Sequence, residues 1–204
     1  MTITAIAPRL SLYEAMKVDL PEIDADGVRV RKFEIDAATA RMSHLRAAMS
    51  GGRGRIEAGW YTRIDVDGTL WMSDTPDEIR DHSYPYWEAQ RRGGRVLVNG
   101  LGLGMVVGAL LKLENVEHID VVELDPRIAE HVGQHYAGER CTIHVGNAYE
   151  MKWPVGTRWT VAWHDIWPDI TGDNLPGMHR LHRMYGRRTD WQGSWARWEC
   201  ERTR

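Results

Sequence analysis

The 204-residue chain has little of what marks secreted, membrane-spanning or zinc-binding proteins. Its two cysteines, Cys141 and Cys200, exclude a disulfide framework and a multi-cysteine zinc site. No segment approaches the ~18 apolar residues that a membrane helix needs. The N-terminus lacks a basic stretch followed by an apolar core, which argues against secretion. From these absences we expect a cytoplasmic protein in a reducing compartment, without a membrane partner.

Phenylalanine is nearly absent, with one residue, whereas tryptophan occurs ten times. Tryptophan serves equally in a packed core and along a binding cleft, and both uses stay open. A net charge of −3 argues against a globally basic nucleic-acid-binding protein. Two arginine-rich segments, 41–55 and 180–188, nevertheless leave a nucleic-acid contact open beside the simpler interpretation of solvated surfaces.

The first 74 residues predict a small N-terminal extension that contains β-structure. Residues 28–35 alternate as a half-buried strand does, and residues 56–73 predict a hairpin around Asp67-Gly68. Residues 37–49 have helical composition, with Met42, Leu45 and Met49 on one face, and a flexible loop is expected over 51–55. We place the domain boundary at residue 74 and assign 75–204 to the main domain.

From Thr75 onward the pattern becomes an alternation of helices and strands. Thr75 and Pro76 predict a helix start, and Pro85 is expected to interrupt that helix. Strands are predicted over 95–98, 118–124, 141–145 and 160–164, with helices over 105–113 and 126–136. This alternation predicts a doubly wound, Rossmann-like parallel sheet with right-handed crossovers.

Three glycines follow the first of these strands at every second position: Gly100, Gly102 and Gly104. Glycine permits a turn with positive φ and a close approach of ligand to backbone, and the next helix begins with unpaired N–H groups. The spacing fits the dinucleotide fingerprint poorly, because its third glycine would fall on Met105 or Val107. A tight turn without a ligand is the alternative.

Glu123 ends the second strand, 19 residues after Gly104. A carboxylate at the tip of the neighbouring strand can accept both ribose hydroxyls of a nucleoside. The alternative is a solvated acid at a strand end. Together the glycine loop and Glu123 favour a nucleoside ligand.

The segments VLVNGLGLG (96–104) and IDVVELDP (119–126) resemble the first two motifs of class I S-adenosylmethionine-dependent methyltransferases. They are most similar to the spermidine-synthase-like branch, and the resemblance extends over residues 56–170. It implies S-adenosylmethionine as cofactor and a methyltransferase whose acceptor is unnamed, with a small amine as one candidate. An aminopropyltransferase, or an inactive nucleotide-binding structural or regulatory protein, is the alternative. Residues 174–204 predict a helix and a tryptophan-rich tail, so we expect a sheet shortened from the family's seven strands.

The resemblance also implies residue roles. The glycines would cradle the methionine moiety, Glu123 the ribose, and Asn147 with Ala148 the adenine. Two positions depart from the aminopropyltransferases, because Leu103 stands where they carry Asp and Asp81 where they carry Tyr. The predicted cofactor-binding residues are Gly100, Leu101, Gly102, Gly104, Glu123, Leu124, Asn147 and Ala148.

Asp165 and Trp167, in the segment DIWPD that follows the fourth strand, are the predicted catalytic residues. A carboxylate at this edge can orient an amine or take its proton, and Trp167 can contact a cation. Alternatively, Asp165 caps a following helix. His164 is a general base or a packed strand residue, the latter being the simpler interpretation. A small-molecule acceptor is the expected partner, and a homodimer stays open.

Two histidine pairs at helical spacing, His131/His135 and His179/His182, raise the question of a metal. Neither has a clear third ligand, and neither belongs to a known metal motif. We therefore expect no metal site.

Overall fold

The computed structural model describes residues 11–49 and 54–203, which form two β-sheets and the helices around them. The predicted loop over 51–55 falls largely outside these residues. None of the helices in the described ranges is long and apolar enough to cross a membrane. The helices are α1 Leu12–Met16, α2 Ala37–Met49, α3 Pro76–Asp81, α4 Ser83–Arg92, α5 Met105–Leu111, α6 Pro126–His131, α7 Leu175–Tyr185 and α8 Arg197–Arg202.

An antiparallel sheet in the order β1-β2-β3-β4 forms the N-terminal part and includes the predicted strand and hairpin. Its second hairpin turns at Asp67-Gly68, where both residues have positive φ. One face of the sheet packs into the main core through Val28, Val30 and Ile64. This packing fixes the β3–β4 hairpin against the larger domain. The strands are β1 Ile23–Ala25, β2 Val28–Ile35, β3 Gly59–Val66 and β4 Thr69–Ser73.

Two helices differ in detail from the sequence prediction. In α2 the stripe of Met42, Leu45 and Met49 is exposed, and the buried residues are Ala40 and Ala47. The interruption expected at Pro85 falls instead at His82, between α3 and α4. Pro85 lies in the first turn of α4, where a backbone N–H has no intrahelical partner to lose.

The main sheet is parallel and has the order β7-β6-β5-β8-β9 in the described part of the chain. This is the order 3-2-1-4-5 of a doubly wound Rossmann-like sheet, which confirms the predicted fold class. Apolar side chains cover both faces, Val96 and Val98 on one and Leu97 on the other. The strands are β5 Gly94–Asn99, β6 Val116–Glu123, β7 Cys141–Val145, β8 Trp159–His164 and β9 Thr189–Ser194.

The fifth strand, β9, was missed in the sequence, where 174–204 were expected to be a helix and a tail. Its residues TDWQGS lack an apolar run, yet Val161 pairs with Trp191 in parallel register. As the last strand of this sheet, β9 need not have two buried faces, so the apolar signal of a central strand is absent.

The chain order reverses between β6 and β8, on either side of β5. Connections leave this switch point in opposite directions and open a crevice beyond the carboxyl ends of the strands. The Asp165 N–H donates to the Asn99 carbonyl at 2.8 Å, which joins the ends of β5 and β8. The predicted cofactor loop and the predicted catalytic acid therefore lie side by side.

Candidate active site

A cavity of 1030 Å³ occupies this crevice, and β4 of the N-terminal sheet supplies one of its walls. Glu123 and Asp165 line the cavity from the ends of β6 and β8, and Trp167 lies beside Asp165. Leu101 and Gly104 do not line it, because Leu101 is buried in the core and Gly104 lies against the Tyr136 ring. The other predicted cofactor residues that line the cavity are Gly100, Gly102, Leu124, Asn147 and Ala148.

Glu123 is 6% exposed and accepts backbone hydrogen bonds with both carboxylate oxygens. Oε2 accepts the Leu101 N–H and Oε1 the Asp125 N–H, each at 2.8 Å. Burial raises the pKa of this carboxyl, and the backbone donors partly offset the rise. Each carboxylate oxygen has a second lone pair, so Glu123 can order the loop and still accept from a ligand.

The N–H groups of the glycine loop already have partners within the protein. Gly100 donates to the Val122 carbonyl and Gly104 to the Leu101 carbonyl, each at 2.8 Å. The Leu103 N–H donates to Met72 Sδ at 3.1 Å. With Leu101 bound to Glu123, these amides are not available to cradle a phosphate, as a dinucleotide would require.

Met72 of β4 is a site residue that sequence reasoning missed. Its sulfur lies 2.5 Å from the position that a Cβ on Gly102 would occupy. Thr69, Leu70 and Trp71 of the same strand also line the cavity. A predicted hairpin gives no signal of where its strand will pack, so this contact between the two sheets was not predictable from local pattern.

Asn147 uses its side chain in the loop itself, because Oδ1 accepts the Tyr149 N–H at 3.0 Å. Asn147 also lines the cavity. Ala148 is 4% exposed and packs with the core of the second sheet face. Both residues predicted to contact the adenine therefore line the cavity, and their role stays a prediction.

His82 is the second residue that was missed, and it contacts Asp165 directly. His82 Nε2 lies 2.7 Å from Asp165 Oδ2, and Nδ1 lies 2.8 Å from the Glu78 carbonyl. The resemblance singled out the neighbouring Asp81, which does not line the cavity.

The contact with His82 contradicts the alternative in which Asp165 caps a helix. No helix follows directly in the structure, and the next helical turn begins at Gly172, capped by Thr171. Asp165 side-chain exposure is 22%, so the carboxylate is reachable from the cavity that it lines. Its nearest ionic partner is His82.

His164 is fully buried and belongs to a polar network in the core. Its Nδ1 accepts from Asn99 Nδ2 at 2.8 Å, and Nε2 lies 3.2 Å from Gln192 Oε1. Burial lowers the pKa of His164 to about 3. The packed-residue interpretation is the one that this environment supports.

Aromatic side chains line the cavity near Asp165. Trp195 and Trp167 line it, and Trp195 stacks on the His82 ring with centroids 6.2 Å apart. Trp159 and Trp163 are buried in the core. Tryptophan therefore serves both uses that its abundance left open.

In the ranges that the structure describes, no group of three histidine, cysteine or acidic side chains is arranged to hold a metal.

Comparison with known proteins finds no matching family model. Polyamine aminopropyltransferase 2 of Ralstonia nicotianae is 41% identical over 69 residues, which cover 32% of this chain and 13% of that protein. The polyamine aminopropyltransferase of Agathobacter rectalis is 26% identical over 124 residues, 60% of this chain and 43% of that protein. The chain thus matches less than half the length of either relative.

Among solved structures, the 23S rRNA methyltransferase ErmE superposes with a TM-score of 0.46 and 14% identity, covering 58% of this chain and 45% of that one. By its own sheet order the chain has the Rossmann-like fold expected of class I S-adenosylmethionine-dependent methyltransferases. By sequence it is similar, over part of its length, to the polyamine aminopropyltransferases of the spermidine-synthase-like branch.

Proposed function

We propose that the protein is an S-adenosylmethionine-dependent transferase that modifies a small amine. The observation that carries this proposal is Glu123, a buried carboxylate at the switch point that lines the cavity beside the glycine loop. The loop amides beside it are already hydrogen-bonded, which favours a ligand without a pyrophosphate over a dinucleotide. The identity between this chain and the aminopropyltransferases adds support for a sulfonium nucleoside.

The residues present fit such a cofactor. Glu123 would accept the ribose hydroxyls, Asn147 would contact the adenine, and the loop around Gly100 and Gly102 would border the methionine moiety. When bound, the cofactor supplies a sulfonium carbon that is already activated toward nucleophiles. The chain's own contribution would be to position the acceptor and exclude water. Asp165, Trp167 and Trp195 line the cavity, which supports this role.

Methyl transfer is the better supported of two group transfers. Leu103 is fully buried and cannot hold a charged aminopropyl group as the family's aspartate would. Asp81 lines a separate surface groove with Trp163 and Trp191 rather than the cavity. Aminopropyl transfer is retained as the second candidate because the curated relatives carry that activity in their names.

The test is a transfer assay with radiolabelled S-adenosylmethionine and pools of amines, guanidino compounds and nucleic acids. We expect an amine pool to stimulate formation of S-adenosylhomocysteine. A parallel assay with decarboxylated S-adenosylmethionine measures methylthioadenosine, and formation of that product alone would assign aminopropyl transfer instead. Stimulation by nucleic acid but by no amine would contradict the proposed acceptor class. Cofactor binding without turnover in any pool would favour an inactive nucleotide-binding protein.

A further inference from the structure

We propose that His82 is a positioning residue that fixes Asp165 as an anionic hydrogen-bond acceptor for the incoming substrate. This inference rests on the proposed function, because it assigns a role in the same cavity. It goes beyond that function by stating the protonation state of the site and which carboxylate oxygen remains for the acceptor.

The hydrogen-bond partners of His82 determine how many protons its ring carries. Nδ1 faces the Glu78 carbonyl at 2.8 Å, and a carbonyl oxygen only accepts, so Nδ1 must carry a proton. Nε2 faces Asp165 Oδ2 at 2.7 Å, the length of a charge-assisted hydrogen bond. With Asp165 ionised, Nε2 also donates, and His82 is an imidazolium.

The surroundings hold the ring in this orientation. His82 is 2% exposed, stacks on Trp195 and meets the edge of Trp163 at a centroid distance of 6.4 Å. The backbone at the junction of α3 and α4 places the residue there, since His82 ends one helix and precedes the next. A ring rotation would break both hydrogen bonds at once.

Charges around His82 favour its protonated form. Burial alone lowers the pKa of the ring, but the Asp165 carboxylate and then Glu78 more than offset it and raise the pKa to about 9. Glu78 Oε2 of α3 lies 3.7 Å from Nδ1, and Asp165 reaches Nε2 from the end of β8. The β9–α8 connection contributes the uncharged Trp195.

The consequence concerns how Asp165 acts. Oδ2 is occupied by His82, which leaves Oδ1 for the acceptor in the cavity. Since the ring already holds two protons, it cannot receive another, and the pair differs from an aspartate–histidine base in which the histidine is neutral. Asp165 therefore orients the acceptor and supplies negative charge, with His82 maintaining its direction.

The ion pair can be tested in the ligand-free protein by ¹⁵N NMR of the histidine rings across pH. In wild type we expect one ring protonated on both nitrogens up to about pH 9. In Asp165→Asn the pKa of that ring should fall well below 9, toward the ordinary value of about 6.5, because burial then opposes the charge and only Glu78 favours it. A His82 ring that is neutral at pH 7 in wild type would overturn the inference, whether or not the cofactor binds.

The positioning role is tested by kinetics with His82→Gln, and His179→Gln on the exposed face of α7 is the matched control. We expect His82→Gln to bind S-adenosylmethionine as wild type does while kcat falls about tenfold to a hundredfold, the loss that misplaced groups cause. The control should leave kcat unchanged. Wild-type kcat in a folded His82→Gln protein contradicts the role. Absence of cofactor binding in wild type overturns the proposed function instead, and the NMR result still decides the ion pair.

Discussion

Gly100 and Gly102 occupy the same loop, yet their surroundings constrain them differently. Both have positive φ, 95° and 52°. A Cβ on Gly100 would collide with the backbone carbonyl oxygen of Asp165, which cannot move without separating β5 from β8. A Cβ on Gly102 would meet only the end of the flexible Met72 side chain. The first glycine is therefore required by the fold, and the second by the local geometry of the loop.

We predict that Gly100→Ala destabilises the protein much more than Gly102→Ala. For Gly102→Ala the left-handed backbone should cost about 1–2 kcal/mol in the free energy of unfolding. For Gly100→Ala the collision with Asp165 adds to the same cost, so the loss should exceed that of its neighbour by at least about 1 kcal/mol. Urea unfolding measures both. Equal losses would show that the β5–β8 junction relaxes easily.

At the level of single residues, the two acids of the site could be identified from the sequence, but the residues that contact them could not. Glu123 and Asp165 follow apolar strands, and strand ends in a parallel sheet converge, so both could be placed at one edge. His82 and Met72 reach the same cavity from elements far away in the sequence, through tertiary packing that no local pattern encodes. The Asp165–His82 contact spans 83 positions along the chain.

The two sheets meet at a cluster of turns around Arg127, which lies near the start of α6. Arg127 Nη1 donates to Asp67 Oδ1 and to the Asp26 carbonyl, each at 2.9 Å, and Nη2 donates to Asp125 at 2.7 Å. Asp125 is also the residue whose N–H donates to Glu123. One arginine thus joins both hairpin turns of the N-terminal sheet to the loop that carries the predicted ribose acid.

We predict that Arg127→Gln weakens S-adenosylmethionine binding several-fold by loosening the wall that β4 forms. Hydrogen–deuterium exchange should show faster exchange at the Leu103 amide, which donates to Met72. Arg29→Gln is the control, because Arg29 makes an exposed ion pair with Asp24 in the same sheet. If both variants keep wild-type affinity and exchange, the N-terminal sheet does not support the cavity.

Elements were predictable where apolar periodicity was strong. The central strands and the hairpin were found because buried faces impose alternation or continuous apolar runs. The polar strand β9 and the exposed stripe of α2 departed from prediction because solvent contact removes that constraint. The break at His82 could not be found from Pro85, since proline is tolerated in the first turn of a helix.

For the whole molecule, three histidines predict a stability maximum near neutral pH. Burial lowers the pKa of His164 to about 3, and burial with the Arg197 charge lowers that of His182 to about 4. Stability from these neutral rings is present above about pH 6.5 and is lost as the pH falls toward the folded values. His82, raised to about 9, stabilises below about pH 6.5, and that contribution is lost as the pH rises through 9.

His164 alone should cost roughly 2–3 kcal/mol of unfolding free energy between pH 6.5 and pH 4.5, since each pH unit corresponds to about 1.4 kcal/mol. Urea unfolding of wild type and His164→Gln over this range measures it. The free energy of unfolding of the variant should fall less steeply as the pH is lowered. Parallel curves for the two proteins would show that the pKa of His164 does not differ between the folded and unfolded states.

The most direct test of the account is calorimetric titration with S-adenosylmethionine and S-adenosylhomocysteine. Wild type should bind both at one site, and Glu123→Gln should weaken binding by about ten- to a hundredfold through loss of a charge-assisted acceptor, about 1.5–3 kcal/mol. Glu117→Gln, at the exposed opposite end of β6, should bind as wild type does. No binding by wild type, or equal affinity in a folded Glu123→Gln protein, would contradict the nucleoside site.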